Sequence, residues 1–198
     1  VIAKVWHETH GVSLNKEHGW IQMLLVHPDY RQQKIATELY QYAEQALHNN
    51  GIKKIQFGGD LGHLLCGVPL DQREGVAFAE KFGFKRVVDS VDFTKTITER
   101  LSLPEKNNVQ FVLLEKEEQQ QLIDFMSKSF PGRWTFEAHD YFAHGGTGRD
   151  YVVVKWEGKI VGFCRINDEH SAWKGPNYNW AEQFDRLGGI GPLGVNED

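Results

Sequence analysis

The chain has 198 residues, enough for one domain or two small ones, and 40% apolar and 25% charged residues are the proportions of a folded chain. Its 12 Phe, 6 Trp and 6 Tyr supply a core and argue against disorder. With 22 Lys and Arg against 27 Asp and Glu, the net charge of −5 leaves no basic stripe for nucleic-acid phosphates. No apolar run approaches the roughly 20 residues of a membrane-spanning helix, so neither nucleic acid nor membrane is an expected partner.

Val1 to Trp6 reads as a short apolar strand. Trp20 to Val26 is a near-continuous apolar run, as a buried central strand should be, and Pro28 and Asp29 end it. From Gln33 the pattern turns helical: Ile35, Leu39, Tyr42, Ala43, Ala46 and Leu47 recur at spacings of three and four, until Asn49-Asn50-Gly51 stops the helix. Ile52 to Phe57 is a third strand, Gln72 to Phe82 a second helix ending at Gly83, and Phe84 to Ile97 one or two further strands. Thr98 to Asn108, with Pro104 and a polar cluster, is the best linker.

Val109 to Leu114 opens the second half as a strand, and a helix follows from about Glu117 to Phe130, broken by Pro131 and Gly132. Tyr151 to Trp156 and Ile160 to Ile166 flank Glu157-Gly158-Lys159 as a hairpin. A long polar loop, Asn167 to Arg186, leads to the apolar stretch Leu187 to Val195. The two ends resemble each other: Val1 to Val5 matches Gly162 to Ile166, and Trp20 to Asp29 matches Gly189 to Asp198. A repeat of about one small domain is expected. The chain opens in mid-strand without Met and without a signal peptide, so its true start is expected upstream. Its two distant cysteines, Cys66 and Cys164, read as reduced thiols of a cytoplasmic protein.

The stretch from Leu24 to Ala36 carries the chemistry. A buried strand enters a tight turn and a helix begins there, so the first helical amides lack partners and the helix dipole favours an anion such as phosphate. Arg31 and Lys34 add positive charge. An ordinary strand-to-helix turn is the alternative on physical grounds alone.

The residues themselves resemble the acyl-CoA site of the GCN5-related N-acetyltransferases, the GNAT superfamily. Val26-His27-Pro28 matches the strand end Val-x-Pro, and Arg31, Ile35 and Ala36 match the Arg-x-x-Gly-x-Ala segment that follows, with Lys34 where the family has Gly. Downstream, Phe78-Ala79-Glu80-Lys81-Phe82-Gly83-Phe84 resembles the family's Phe-Tyr-Glu-Lys-x-Gly-Phe. The resemblance implies an α/β fold with a GNAT-like mixed, largely antiparallel central sheet flanked by helices. It implies acetyl-CoA as co-substrate, no metal, and transfer of an acetyl group to a small-molecule amine or amino-group acceptor by direct attack on the thioester. It also implies cofactor contacts at Leu24, Leu25, Val26, Arg31, Gln32, Gln33, Lys34, Ile35 and Ala36. Residues 1–99 would be the later part of one GNAT domain, 100–108 a linker and 109–198 the early part of a second, with self-association through an unfinished edge strand. Ala79 stands where the family places a thiolate-protonating Tyr. A degenerate pair serving as a binding or scaffold module is therefore the alternative to an enzyme.

Other residues have two readings. His7-Glu8-Thr9-His10 lacks the further ligands that zinc requires and reads as a solvated loop. Cys66 is an inert thiol or an acyl-accepting nucleophile beside His63, and Asp60 is a base or a turn-capping residue. Phe130 to Trp134 shapes an acceptor pocket or simply stops a helix.

Overall fold

The computed structural model describes residues 1–7, 9–63, 65–99, 108–171 and 176–196. The chain divides into two compact units, one of residues 1–8 and 15–95, the other of residues 9–14 and 96–198. Among the described residues, no helix is long and apolar enough to cross a membrane.

In the first unit, Ile2–Lys4 (β1) runs antiparallel to His18–Met23 (β2), which runs parallel to Lys54–Phe57 (β3), giving the order β1-β2-β3. A parallel pair needs a crossover, and the helix Ile35–Asn49 (α1) lies in that connection. Its Tyr40, Ala43 and Leu47 are buried with Ile21 and Ile52. Of the expected stripe Ala43 and Leu47 face the core, whereas Tyr42 and Ala46 are exposed and the buried tyrosine is Tyr40, one turn before Ala43 and Leu47 on the same face. Arg73–Lys81 (α2) follows, and Phe78, Phe82 and Phe84 close the cluster. Tyr40 packs in a tilted arrangement on Phe82, with ring centroids 4.4 Å apart, and Phe57 does so on Phe84 at 4.5 Å.

The second unit is a four-stranded antiparallel meander, Val109–Leu113 (β4), Tyr151–Trp156 (β5), Lys159–Asn167 (β6) and Gly189–Val195 (β7), in that order. Glu157 (φ 48°) and Gly158 (φ 77°) turn the β5–β6 hairpin in the left-handed region, the handedness that matches strand twist. Helices Gln119–Ser129 (α3) and Arg133–Ala143 (α4) sit in the β4–β5 connection. Leu122, Ile123 and Met126 of α3 and Ala138, Tyr141 and Phe142 of α4 pack with Tyr151, Val153 and Phe163. Each large apolar side chain buried in this way stabilises the unit by about 2 kcal/mol. Tyr141 fixes the entry to β5: its hydroxyl donates to Asp150 (3.0 Å) and accepts the N–H of Gly148 (3.0 Å), while Ser171 donates to the other oxygen of Asp150 at 2.6 Å.

The fold class implied by the resemblance is the one observed, a mixed α/β architecture with antiparallel pairing and flanking helices. Three further expectations need correction. Residues 85–99 form no strand: Val87, Val91, Phe93 and Ile97 alternate as a strand would, but they are exposed and find no neighbouring ladder. Helix α4 was not anticipated, because Pro131 and Gly132 end one helix and start another, and the buried face of α4 includes the polar Glu137 and Asp140. The apolar run Trp20 to Val26 is strand only to Met23, because its apolar character continues after its ladder partners have gone. Residues 100–107 of the expected linker lie outside the described residues.

Candidate functional site

The candidate site is built where β2 and β3 part. Their ladder ends at Ile21↔Phe57, and Gly58 donates a last hydrogen bond to Ile21 O at 3.0 Å. Gly58 (φ 61°) and Gly59 (φ 63°) then turn β3's continuation away. Beyond this point Leu24, Leu25 and Val26 run on without a β3 neighbour. Leu24 packs into the core of the unit, while Leu25 is 71% exposed. A backbone edge released in this way can hydrogen-bond an extended ligand.

A single 3-10 turn, Pro28–Tyr30, follows. Arg31 Nε donates to the Val26 carbonyl at 3.2 Å and closes the turn. Gln32 (φ 62°) and Lys34 (φ 65°) are both left-handed, and α1 starts at Ile35 with no side-chain cap on its first amides. Alternating left- and right-handed residues aim successive N–H groups into one concavity, which binds anions. The uncapped helix start adds partial positive charge. Lys34 occupies the position for which the resemblance expects Gly, and it keeps the left-handed backbone that glycine is used for, with its side chain exposed. The nine residues named from sequence thus lie on one continuous strand end, turn and helix start.

Asp60 follows the Gly58-Gly59 turn and is fully buried. Lys4 Nζ on β1 donates to one carboxylate oxygen at 2.9 Å, and Gln22 Nε2 on β2 donates to the other at 3.2 Å. Its backbone carbonyl accepts the His63 N–H at 2.8 Å. These contacts make Asp60 an anchor of the loop after β3. In the same loop, Cys66 Sγ lies 3.5 Å from His63 Nε2, and Cys66 is an exposed residue. Sequence separation alone did not establish that contact.

The second unit contains a cavity of about 330 Å³ lined by His10, Ser13, Ser127, Gly132, Thr135 and His139 among others. Pro131 and Gly132 therefore both stop a helix and line a pocket. His10 is not in a solvated loop. Its Nε2 is 2.9 Å from Asp140 Oδ1, and its ring stacks on His139 with centroids 6.1 Å apart. Burial, reinforced by His10, lowers the pKa of His139 below its ordinary value. No sequence signal links His10 to Asp140 across 130 positions. Among the described residues, no group of three or more His, Cys, Asp or Glu is placed to hold a metal ion.

Residues 2–84 match the model of the Acetyltransferase (GNAT) family. The chain resembles in structure a GCN5-related glucosamine N-acetyltransferase region of a fungal multi-domain GH3 beta-N-acetylglucosaminidase. That likeness has a TM-score of 0.75 and 22% identity over 91% of this chain and 23% of the other. It also resembles a GCN5-related N-acetyltransferase from Sphaerobacter thermophilus, with a TM-score of 0.62 and 14% identity over 98% of this chain and 56% of the other. The chain therefore spans about a quarter and about half of the lengths of these two proteins. No curated protein matches the sequence. At these identities the likeness is one of fold, that of the GCN5-related N-acetyltransferases. The part that matches the family model, Ile2 to Phe84, is the part that carries the strand, turn and helix start of the candidate site.

Proposed function

We propose that the chain binds an acyl-CoA, acetyl-CoA above all, at the β2–α1 turn, and that it serves acetyl transfer to an amine by direct attack on the thioester. The observation that carries the reading is the pair of left-handed residues, Gln32 and Lys34, leading into the uncapped start of α1. The residues present fit a pyrophosphate. The amides from Gln32 to Ala36 would hold it, Arg31 and Lys34 add charge, and the backbone edge at Leu24 to Val26 suits an extended pantetheine. When bound, acetyl-CoA supplies an activated acetyl thioester. The amides of Leu24 to Val26 are the donors available to polarise its carbonyl oxygen.

Ala79, at the position of the family's Tyr, is 8% exposed and holds the end of α2, where its carbonyl accepts the Phe82 and Phe84 N–H groups. It cannot donate a proton, so a different donor or water protonates the leaving thiolate. The acceptor is proposed to be a small-molecule amine or amino group. The tandem reading, with later GNAT strands in the first unit and early ones in the second, is likewise a proposal. It draws support from pairing: β1 with β2 and β6 with β7 are both antiparallel, at Lys4↔Trp20 and Ile166↔Ile190. These pairs fall within one residue of the positions matched in sequence. A cytoplasmic location rests on the reduced thiols alone.

A CoA-release assay with acetyl-CoA and a panel of small amines tests the reading. Amine-dependent release of CoA is expected. Binding of CoA with no amine-dependent release would favour a binding module instead.

A further inference from the structure

We propose that Cys66 is an acyl-accepting nucleophile activated by His63, which adds a covalent acceptor on the chain itself to the transfer proposed above. The two side chains are in hydrogen-bonding contact, Sγ to Nε2 at 3.5 Å, and Cys66 is an exposed residue. An imidazole at that distance can take the thiol proton, and the thiolate is the nucleophile.

The fold holds the pair in place. His63 is left-handed (φ 50°), an unusual backbone for a residue other than glycine. Its N–H is tied to the carbonyl of Asp60, whose carboxylate is gripped by Lys4 and Gln22. The loop then folds back on its own origin. Gly59 N–H donates to Leu65 O at 2.6 Å, and a Cβ on Gly58 would stand 2.5 Å from Gly67 N. Gly58 is itself bonded to Ile21 of β2. Cys66 is thereby held against the Gly58-Gly59 turn, in the loop that leaves β3 where β2 and β3 separate. The electrophile, an acyl thioester, is taken from the reading above.

The step balances without an oxidant or reductant. His63 Nε2 takes the thiol proton, the Cys66 sulfur forms a bond to the thioester carbonyl carbon, and the carbon–sulfur bond of the donor breaks. The departing thiolate recovers the proton from His63.

Two measurements test this on the whole chain. In the first, iodoacetamide labelling is followed by peptide mass mapping, with Cys164, half-buried and with its thiol pKa raised by burial, as the internal comparison. Cys66 is expected to react about tenfold faster than Cys164, and His63→Gln to slow Cys66 about tenfold. An unchanged Cys66 rate in His63→Gln overturns the activation. In the second, the protein is incubated with acetyl-CoA and, separately, with the small thioester S-acetyl-N-acetylcysteamine, while calorimetry with CoA runs alongside. An acetyl group on Cys66, removable by hydroxylamine and absent in Cys66→Ala, is expected. CoA binding with no acetyl on Cys66 from either thioester overturns the inference and leaves the CoA reading intact. Acetylation by the small thioester without CoA binding supports the inference and overturns that reading.

Discussion

Lys4 on β1 and Asp60, the first residue after the Gly58-Gly59 turn, form an ion pair of 2.9 Å whose two ends differ in burial: the lysine side chain is 35% exposed and the carboxylate is fully buried. The pair spans the three-stranded sheet from one edge to the other, with Gln22 of the middle strand completing it. The cost of breaking it therefore depends on which end is removed. Lys4→Met strands a buried carboxylate and is expected to destabilise by about 3 kcal/mol. Asp60→Asn keeps the hydrogen-bonding shape and lets Lys4 turn to solvent, so about 1 kcal/mol is expected. Urea unfolding followed by tryptophan fluorescence checks the order; equal costs would mean that the carboxylate is not the buried liability.

Lys34 holds a left-handed backbone at about 1 kcal/mol cost relative to glycine. Lys34→Gly is expected to stabilise the chain by up to about 1 kcal/mol while α1 stays intact. Lys34→Val places a β-branched residue at positive φ and is expected to destabilise by more than that. Thermal melts followed by circular dichroism compare the three proteins.

His18 and His139 both have pKa values held below the ordinary 6.5, in each case first by burial, and then by Lys54 and His10 respectively. A base with a lowered folded pKa binds fewer protons folded than unfolded in the window just below 6.5. Stability is therefore expected to fall as pH drops from 7.5 toward 5.5. Urea midpoints at those two values should move closer together in His18→Gln and in His139→Gln. A midpoint that rises on acidification would reverse the sign.

β7 is an edge strand of its sheet and leaves Ile190, Leu193 and Val195 exposed. Unpaired edge amides beside apolar side chains favour pairing between copies. Light scattering is expected to show mass rising with concentration, and Leu193→Lys to suppress it.

Much of this architecture was legible in the residues. The spacing of Ala43 and Leu47 sets the buried face of α1, though the tyrosine on it is Tyr40 and not Tyr42, and the Gly158 turn sets the hairpin. The strand, turn and helix start of the candidate site are read from Val26, Pro28 and Arg31, because local chemistry fixes local geometry. What escaped depends on distant partners. Phe93 and Ile97 alternate correctly, yet they belong to no strand, since a strand also needs a neighbour. Helix α4 hides its period because Glu137 and Asp140 are buried beside Arg133 and His10, which satisfy them at 2.6 and 2.9 Å. The same holds for the burial of Asp60 and for the contact between His63 and Cys66. Each comes from a loop closing on residues that the sequence does not place beside it.

Calorimetric titration of CoA into the native chain and into Ile35→Glu/Ala36→Glu tests the central claim most directly, because acidic side chains at the start of α1 would oppose a pyrophosphate there. Binding by the native chain and none by the variant, with an unchanged circular dichroism spectrum, is the expected result. Equal affinity in both would contradict the placement of the acyl-CoA site at the β2–α1 turn.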